Sequence, residues 1–247
     1  MTISSKQNKN MKSIIELVKT TWELYRSHVG LFIGYSAWLL IPMIINVLLT
    51  ITFGSDYADI ITTVVLTLDL LMVIWVMASI IQVTALVQAN KRIDARKISS
   101  YSWGVSVSLL LLSIILSIIT GLGLLLLIVP GVAFTVYATF SSVILVLERK
   151  SIKEAIRASF ELVKGRFWKI LGRLFAGNII IFIPYAAAML IIAGLLLMLS
   201  GGSVDALISN PATLMEQIML RVIDVFFIPV FIIFGVTFYK NAKETRS

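Results

Sequence analysis

Residues 60–88 read IITTVVLTLDLLMVIWVMASIIQVTALVQ, a run whose one charge is Asp69. A helix rises 1.5 Å per residue and crosses a bilayer in about 20 residues, so this stretch is long and apolar enough to span. Five further runs share its character, at 29–53, 104–124, 126–147, 168–200 and 214–239. Inside lipid only helices and closed barrels satisfy their own backbone, and the short alternating pattern of barrel strands is missing here. The expected fold is therefore an all-α integral membrane protein with six transmembrane helices. With 59% hydrophobic and 14% charged residues, the composition lies outside the soluble range.

Residues 104–147 must hold two crossings, and their turn is expected within 121–131, at Gly121-Leu122-Gly123 or at Pro130-Gly131. Pro42, Pro184 and Pro229 predict kinks in the first, fifth and sixth spans. Gly30-x-x-x-Gly34, and Ser113-x-x-x-Ser117 with Gly121 after it, offer small faces on which helices could approach closely.

The net charge of +8 takes its meaning from where the basic residues lie. Segments 1–28, 89–103, 148–173 and 240–247 hold 5, 4, 8 and 3 Lys/Arg, which is 20 of the 21. The exception is Arg221, and the acids Asp56, Asp59, Asp205 and Glu216 fall on its side. By the positive-inside rule both termini are expected in the cytoplasm of a cell-membrane protein, and the basic excess reads as topology, with no nucleic-acid partner. No removable signal peptide is expected, because the first 28 residues hold no short apolar core with a small-residue cleavage site. Zero cysteines exclude disulfides and thiol chemistry.

Two polar stretches echo each other. Residues 12–34, KSIIELVKTTWELYRSHVGLFIG, match residues 150–172, KSIKEAIRASFELVKGRFWKILG, without a gap. Each opens with the capping box Ser-x-x-Glu and repeats acid-to-base i,i+3 pairs, Glu16–Lys19 and Glu23–Arg26, then Glu154–Arg157 and Glu161–Lys164. Apolar stripes run along Ile14, Val18, Trp22, Tyr25 and Val29, and along Ile152, Ile156, Phe160, Val163 and Phe167. Helices 12–28 and 150–166 are thus expected to be amphipathic and to lie in the cytoplasmic interface, Trp22 and Phe160 on the buried side. Lys12, Lys19, Arg26, Lys150, Lys153, Arg157, Lys164 and Arg166 would face anionic lipid, a membrane-protein partner or a second copy of the chain. The echo reads as a parallel internal repeat, its axis along the membrane normal.

Few residues offer chemistry. His28 stands alone beside Arg26 and Ser27. No phosphate loop, His-Glu-x-x-His or clustered carboxylates with metal spacing occur, so neither catalytic residues nor cofactors nor metals are expected. The candidate polar site is intramembrane: Asp69 in the second span, Arg221 and Asp224 in the sixth. Such groups serve an ion or substrate path, or they are held in structural pairs, Arg221 with Asp224 and Asp69 with Thr62, Thr63 or Thr67. Asn46, Gln82 and Asn178 read as interhelical hydrogen bonds.

The run Leu124 to Gly131, LLLLIVPG, then Leu145-Val146-Leu147-Glu148, then Ala158 to Trp168, ASFELVKGRFW, resembles bacterial multi-pass proteins related to the membrane domain of glycerophosphoryl diester phosphodiesterase. The resemblance implies a membrane domain that can precede a separate soluble catalytic domain. As this chain ends at Ser247 directly after its last span, no such domain is expected within it. The function expected is that of a non-enzymatic scaffold or accessory protein; the alternative is a small-solute or ion transporter using Asp69, Asp224 and Arg221.

Overall fold

The computed structural model describes residues 11–199 and 214–246, so Lys6, Lys9, Asp205 and the end of the fifth run at residue 200 lie outside it. The described residues form α-helices and two short 3-10 turns. The α-helices are α1 (Ile14–Ser27), α2 (Val29–Ser36), α3 (Leu40–Phe53), α4 (Ala58–Gln88), α5 (Ala95–Leu126), α6 (Ile128–Ala138), α7 (Ser141–Glu148), α8 (Ile152–Val163), α9 (Phe167–Leu199) and α10 (Leu214–Glu244). Six helical segments are long and apolar enough to cross a membrane: α2–α3, α4, α5, α6–α7, α9 and α10. We number them spans 1 to 6. The end that carries α1, α8 and the close of α10 is the basic end.

Each span pair is one inner and one outer helix. Of the most apolar stretch of spans 2, 4 and 6, 39, 44 and 33% of residues are buried, against 17, 11 and 6% for spans 1, 3 and 5. Spans 2, 4 and 6 touch one another at the centre. Span 1 leans on spans 2 and 6, span 3 on 4 and 2, and span 5 on 6 and 4. The core sits in the basic half of the bundle. There Ile74–Val76, Ala78, Ile80, Ile81 and Val83 of span 2 pack against Val143–Val146 of span 4 and Val230, Ile233, Phe234 and Phe238 of span 6. In the other half Ile44, Leu48, Leu66, Ile118, Leu125, Leu190 and Met198 all point outward.

The third and fourth spans join at Leu127, whose extended backbone (φ −158°, ψ 132°) is the one residue between two helices. So tight a hairpin needs close backbones, and Gly123 and Gly131 supply them. A Cβ on Gly131 would stand 2.6 Å from the Leu124 amide nitrogen, and one on Gly123 would stand 2.9 Å from the Gly131 Cα. Gly30, Gly34 and Gly121 behave otherwise than their spacing suggests: no atom lies within 4 Å of where their Cβ would be.

Pro42 stands in span 1 and Pro229 in span 6, and the two spans are tied where Pro229 frees a carbonyl. Span 1 passes through a 3-10 turn, Ala37–Leu39, just before Pro42. In span 6 Pro229 has no N–H for the carbonyl four residues back, that of Val225. The buried Ser36 hydroxyl, at the end of α2, donates to this Val225 carbonyl at 2.7 Å. Ser36→Ala is expected to cost about 1–2 kcal/mol by stranding that oxygen, as read by chemical unfolding in detergent. An unchanged midpoint would refute the assignment.

Both polar helices begin with the capping box read in the sequence. The Ser13 amide donates to Glu16 at 2.9 Å and the Ser151 amide to Glu154 at 3.0 Å, and each serine oxygen accepts from its glutamate's amide. Bonds from the Ser151 side chain and backbone hold the Glu154 carboxyl below its ordinary range. Because Glu16 and Glu154 are occupied in this way, the surface ion pairs differ from those expected. Lys19 pairs with Glu23 (3.8 Å) and Arg157 with Glu161 (3.0 Å), both at i,i+4 and both at the same register of the two copies.

The faces buried within the bundle lie beside the apolar stripes and share Tyr25 and Val163 with them. In α1 Leu17, Thr21 and Tyr25 are buried while Trp22 is 42% exposed; in α8 Ala155, Ser159, Leu162 and Val163 are buried and Phe160 is half-buried. Small and hydroxyl-bearing residues let these helices sit close. Thr21 donates to the Leu17 carbonyl at 2.8 Å, and Ser159 donates to the Tyr137 carbonyl at 2.7 Å. The bulky aromatics lie beside that contact: Phe160 stacks on Tyr137 at 5.0 Å, and Trp22 borders a groove with Ile181, Pro184 and Phe227. Helix α1 seats on spans 5 and 6, and α8 seats chiefly on span 4, so each packs on a span pair that precedes it around the bundle.

Candidate functional site

The three intramembrane charges come together. Arg221 of α10 donates from Nη2 to Asp69 Oδ1 of α4 at 2.5 Å, and its Nη1 stands 4.0 Å from Asp224 Oδ2. The three side chains are about three-quarters buried. Asp224 has a second partner from span 5, since the Tyr185 hydroxyl donates to its Oδ1 at 3.2 Å. Arg221 and Asp224 are one turn apart on α10 and so share a face, which aims both at the seam where α4 and α9 meet it. The cluster thus ties spans 2, 5 and 6 just beyond the apolar core. In lipid, where apolar contact gives little preference for a neighbouring helix over a lipid tail, such ties carry much of the specificity.

The pairing differs from the one read in the sequence. Arg221 takes Asp69 as its near partner, and two of the three threonines turn to their own helix: Thr63 donates to the Asp59 carbonyl and Thr67 to that of Thr63, each at 2.8 Å. Tyr185 was missing from the sequence reading. Its one signal there is a phenol directly after Pro184 in an apolar run. Of the amides, Gln82 does bond between helices, to Ser102 at 2.8 Å, whereas Asn178 donates to the Leu174 carbonyl of its own helix at 2.7 Å.

At the basic end Lys12, Lys19, Arg26, Lys153, Arg157 and Lys164 are exposed. Lys150 and Arg166 are turned to structure. Glu148 accepts from Lys150 at 2.7 Å and also from Lys243 and Tyr239, which binds the end of span 4 to the end of span 6. Arg166 donates to the Leu162 carbonyl (2.9 Å), the Ala242 carbonyl (3.0 Å) and Thr245 (3.0 Å), closing the C-terminal turns of α8 and α10. Arg173 likewise donates to the Lys12 carbonyl at 3.2 Å, and the Lys12 amide donates to Asn241 at 3.2 Å, fixing the start of α1. Among the described residues no three His, Asp or Glu side chains stand together as a metal site.

Six apolar crossings around one buried core define a multi-pass helical membrane protein. Residues 140–243 match the family of the membrane domain of glycerophosphoryl diester phosphodiesterase, the family that the sequence resembles. The match takes in the close of span 4, helix α8 and spans 5 and 6. Comparison with curated proteins and with solved structures finds no match to this chain.

Proposed function

We propose that the protein is a non-enzymatic scaffold or accessory component of the cell membrane, both termini cytoplasmic, that engages anionic lipid or partner proteins through its basic end. One observation carries this reading. The intramembrane charges are spent on one another and on Tyr185, while the basic side chains of α1 and α8 are exposed at the surface, Lys19 and Arg157 in solvent-facing pairs with Glu23 and Glu161. In reconstituted vesicles Asp69→Asn is expected to lower thermal stability without abolishing any solute or ion flux. Lys153→Gln, Arg157→Gln and Lys164→Gln together are expected to remove stabilisation by anionic lipid, each basic residue contributing about 1 kcal/mol near such a surface. Orientation is read in intact cells, because the chain has no cysteine. A single cysteine in place of Lys97 should react with a membrane-permeant thiol reagent and not with an impermeant one added outside.

The rival reading is a small-solute or ion transporter. It is favoured by the excess acid of the cluster, two aspartates to one arginine, and by the 4.0 Å gap that leaves Asp224 the looser partner. Coupled flux that vanishes in Asp69→Asn or Asp224→Asn, in protein that stays folded, would establish it.

A further inference from the structure

A groove of about 360 Å³ opens on the flank of the bundle between α2 and α5, floored by α4, within the size range of small-ligand sites. Gly30, Gly34, Tyr35, Trp38, Trp75 and Trp103 line it. The Trp75 ring meets Trp38 edge-on at 5.5 Å and stacks with Trp103 at 5.8 Å, making a continuous aromatic wall. Gly30 and Gly34 keep the slot open, since side chains there would project into space that no protein atom occupies. Tyr35 and Trp75 are more than nine-tenths buried, yet the phenol oxygen and indole nitrogen have no partner among the described residues.

Toward the basic end the wall continues along Ser99 and Ala95. Arg96 lies three residues before Ser99 and seven before Trp103, on the same face of α5. Arg92 and Arg96 are exposed and line the adjoining cleft with Lys97 and Arg149. The acid in that cleft, Asp94, is engaged: its carboxylate caps α5 through the Lys97 amide at 3.2 Å and pairs with the Lys97 ammonium at 3.6 Å. An aromatic wall would also suit a cation, but the charge at this mouth is basic. An apolar slot ending at guanidinium groups matches an amphiphile with an acyl chain and an anionic head.

We propose that this groove binds an anionic phospholipid, its acyl chain along Trp38, Trp75 and Trp103 and its phosphate at Arg92 and Arg96. The inference rests on the reading that the basic end engages anionic lipid, and it gives that lipid a place away from α1 and α8. The test uses the whole chain with Trp22→Phe and Trp168→Phe, which leaves fluorescence from the three groove tryptophans alone. Phospholipids brominated in the acyl chain are titrated into detergent micelles and quenching is followed. Brominated phosphatidylglycerol should half-quench at an about thirtyfold lower mole fraction than brominated phosphatidylcholine, as two basic contacts of about 1 kcal/mol each predict. Arg92→Gln with Arg96→Gln should erase the difference, and Gly34→Leu should abolish saturable quenching by both lipids. Should Gly34→Leu not fold, Gly34→Ala, which meets no atom, should weaken binding in the same direction. Equal half-quenching by the two lipids in the parent overturns the groove. If the preference survives in the Arg92/Arg96 variant and disappears on changing Lys153, Arg157 and Lys164, the groove is overturned while the broader reading stands. If anionic lipid has no effect on quenching or on stability in any form of the protein, both fail.

Discussion

Arg221→Gln is expected to lower the unfolding free energy of the detergent-solubilised protein by about 3 kcal/mol, among the largest effects of any single side chain in the bundle. The substitution leaves Asp69 three-quarters buried with its 2.5 Å partner gone, and it also removes the cation beside Asp224. Much of the loss is the cost of a stranded charge. Asp69→Asn combined with Arg221→Gln should therefore be more stable than Arg221→Gln alone. Asp224→Asn should cost less than either, because the Tyr185 hydroxyl can still bond the amide oxygen and the arginine lies 4.0 Å away. Chemical unfolding of the parent, Asp69→Asn, Arg221→Gln and the double variant closes a double-mutant cycle for Asp69 and Arg221. Additive losses would show that the pair contributes nothing as a pair.

Gly131→Leu is expected to be at least as damaging, about 3 kcal/mol or more, since overpacking here meets backbone that cannot turn aside. The new Cβ would sit 2.6 Å from the Leu124 amide nitrogen, so spans 3 and 4 must part at their hairpin. Gly121→Leu is the matched control. It adds the same side chain two residues from Gly123, at a position with nothing within 4 Å, and should leave stability close to that of the parent. The yield of monodisperse protein after solubilisation and the unfolding midpoint distinguish them; equal behaviour would show that the hairpin is not closely packed.

Apolar length made the six spans legible, because the bilayer imposes it on each segment separately. The caps of α1 and α8 were legible for the same reason, as Ser13–Glu16 and Ser151–Glu154 are contacts within one turn. What failed depends on neighbours distant in the chain. The stripe through Trp22 and Tyr25 is the most apolar face of α1, yet the face seated on α9 and α10 is the neighbouring one through Leu17, Thr21 and Tyr25, a choice set by where those helices lie. Arg166 reads as one more basic surface residue until the carbonyls of Leu162 and Ala242 are found beside it. Of the polar cluster, the three charges were visible as charges in oil, but which acid Arg221 takes depends on how α4 and α10 align, and no local pattern records that.

The first span leans on the last, and this sets an order of events during synthesis. Helices α1 and α2 pack on α10, so the Ser36 hydroxyl meets its Val225 acceptor only after nearly the whole chain has been made. Span 2 can pair with span 1 at once, but the other side of span 1 waits for span 6. A nascent chain stalled after the fourth span thus holds an N-terminal helix with no seat and a serine with no long-range acceptor. Folding of the first quarter of this protein is completed by its last quarter, and a ribosome-bound intermediate should expose α1 to proteases that the finished bundle resists.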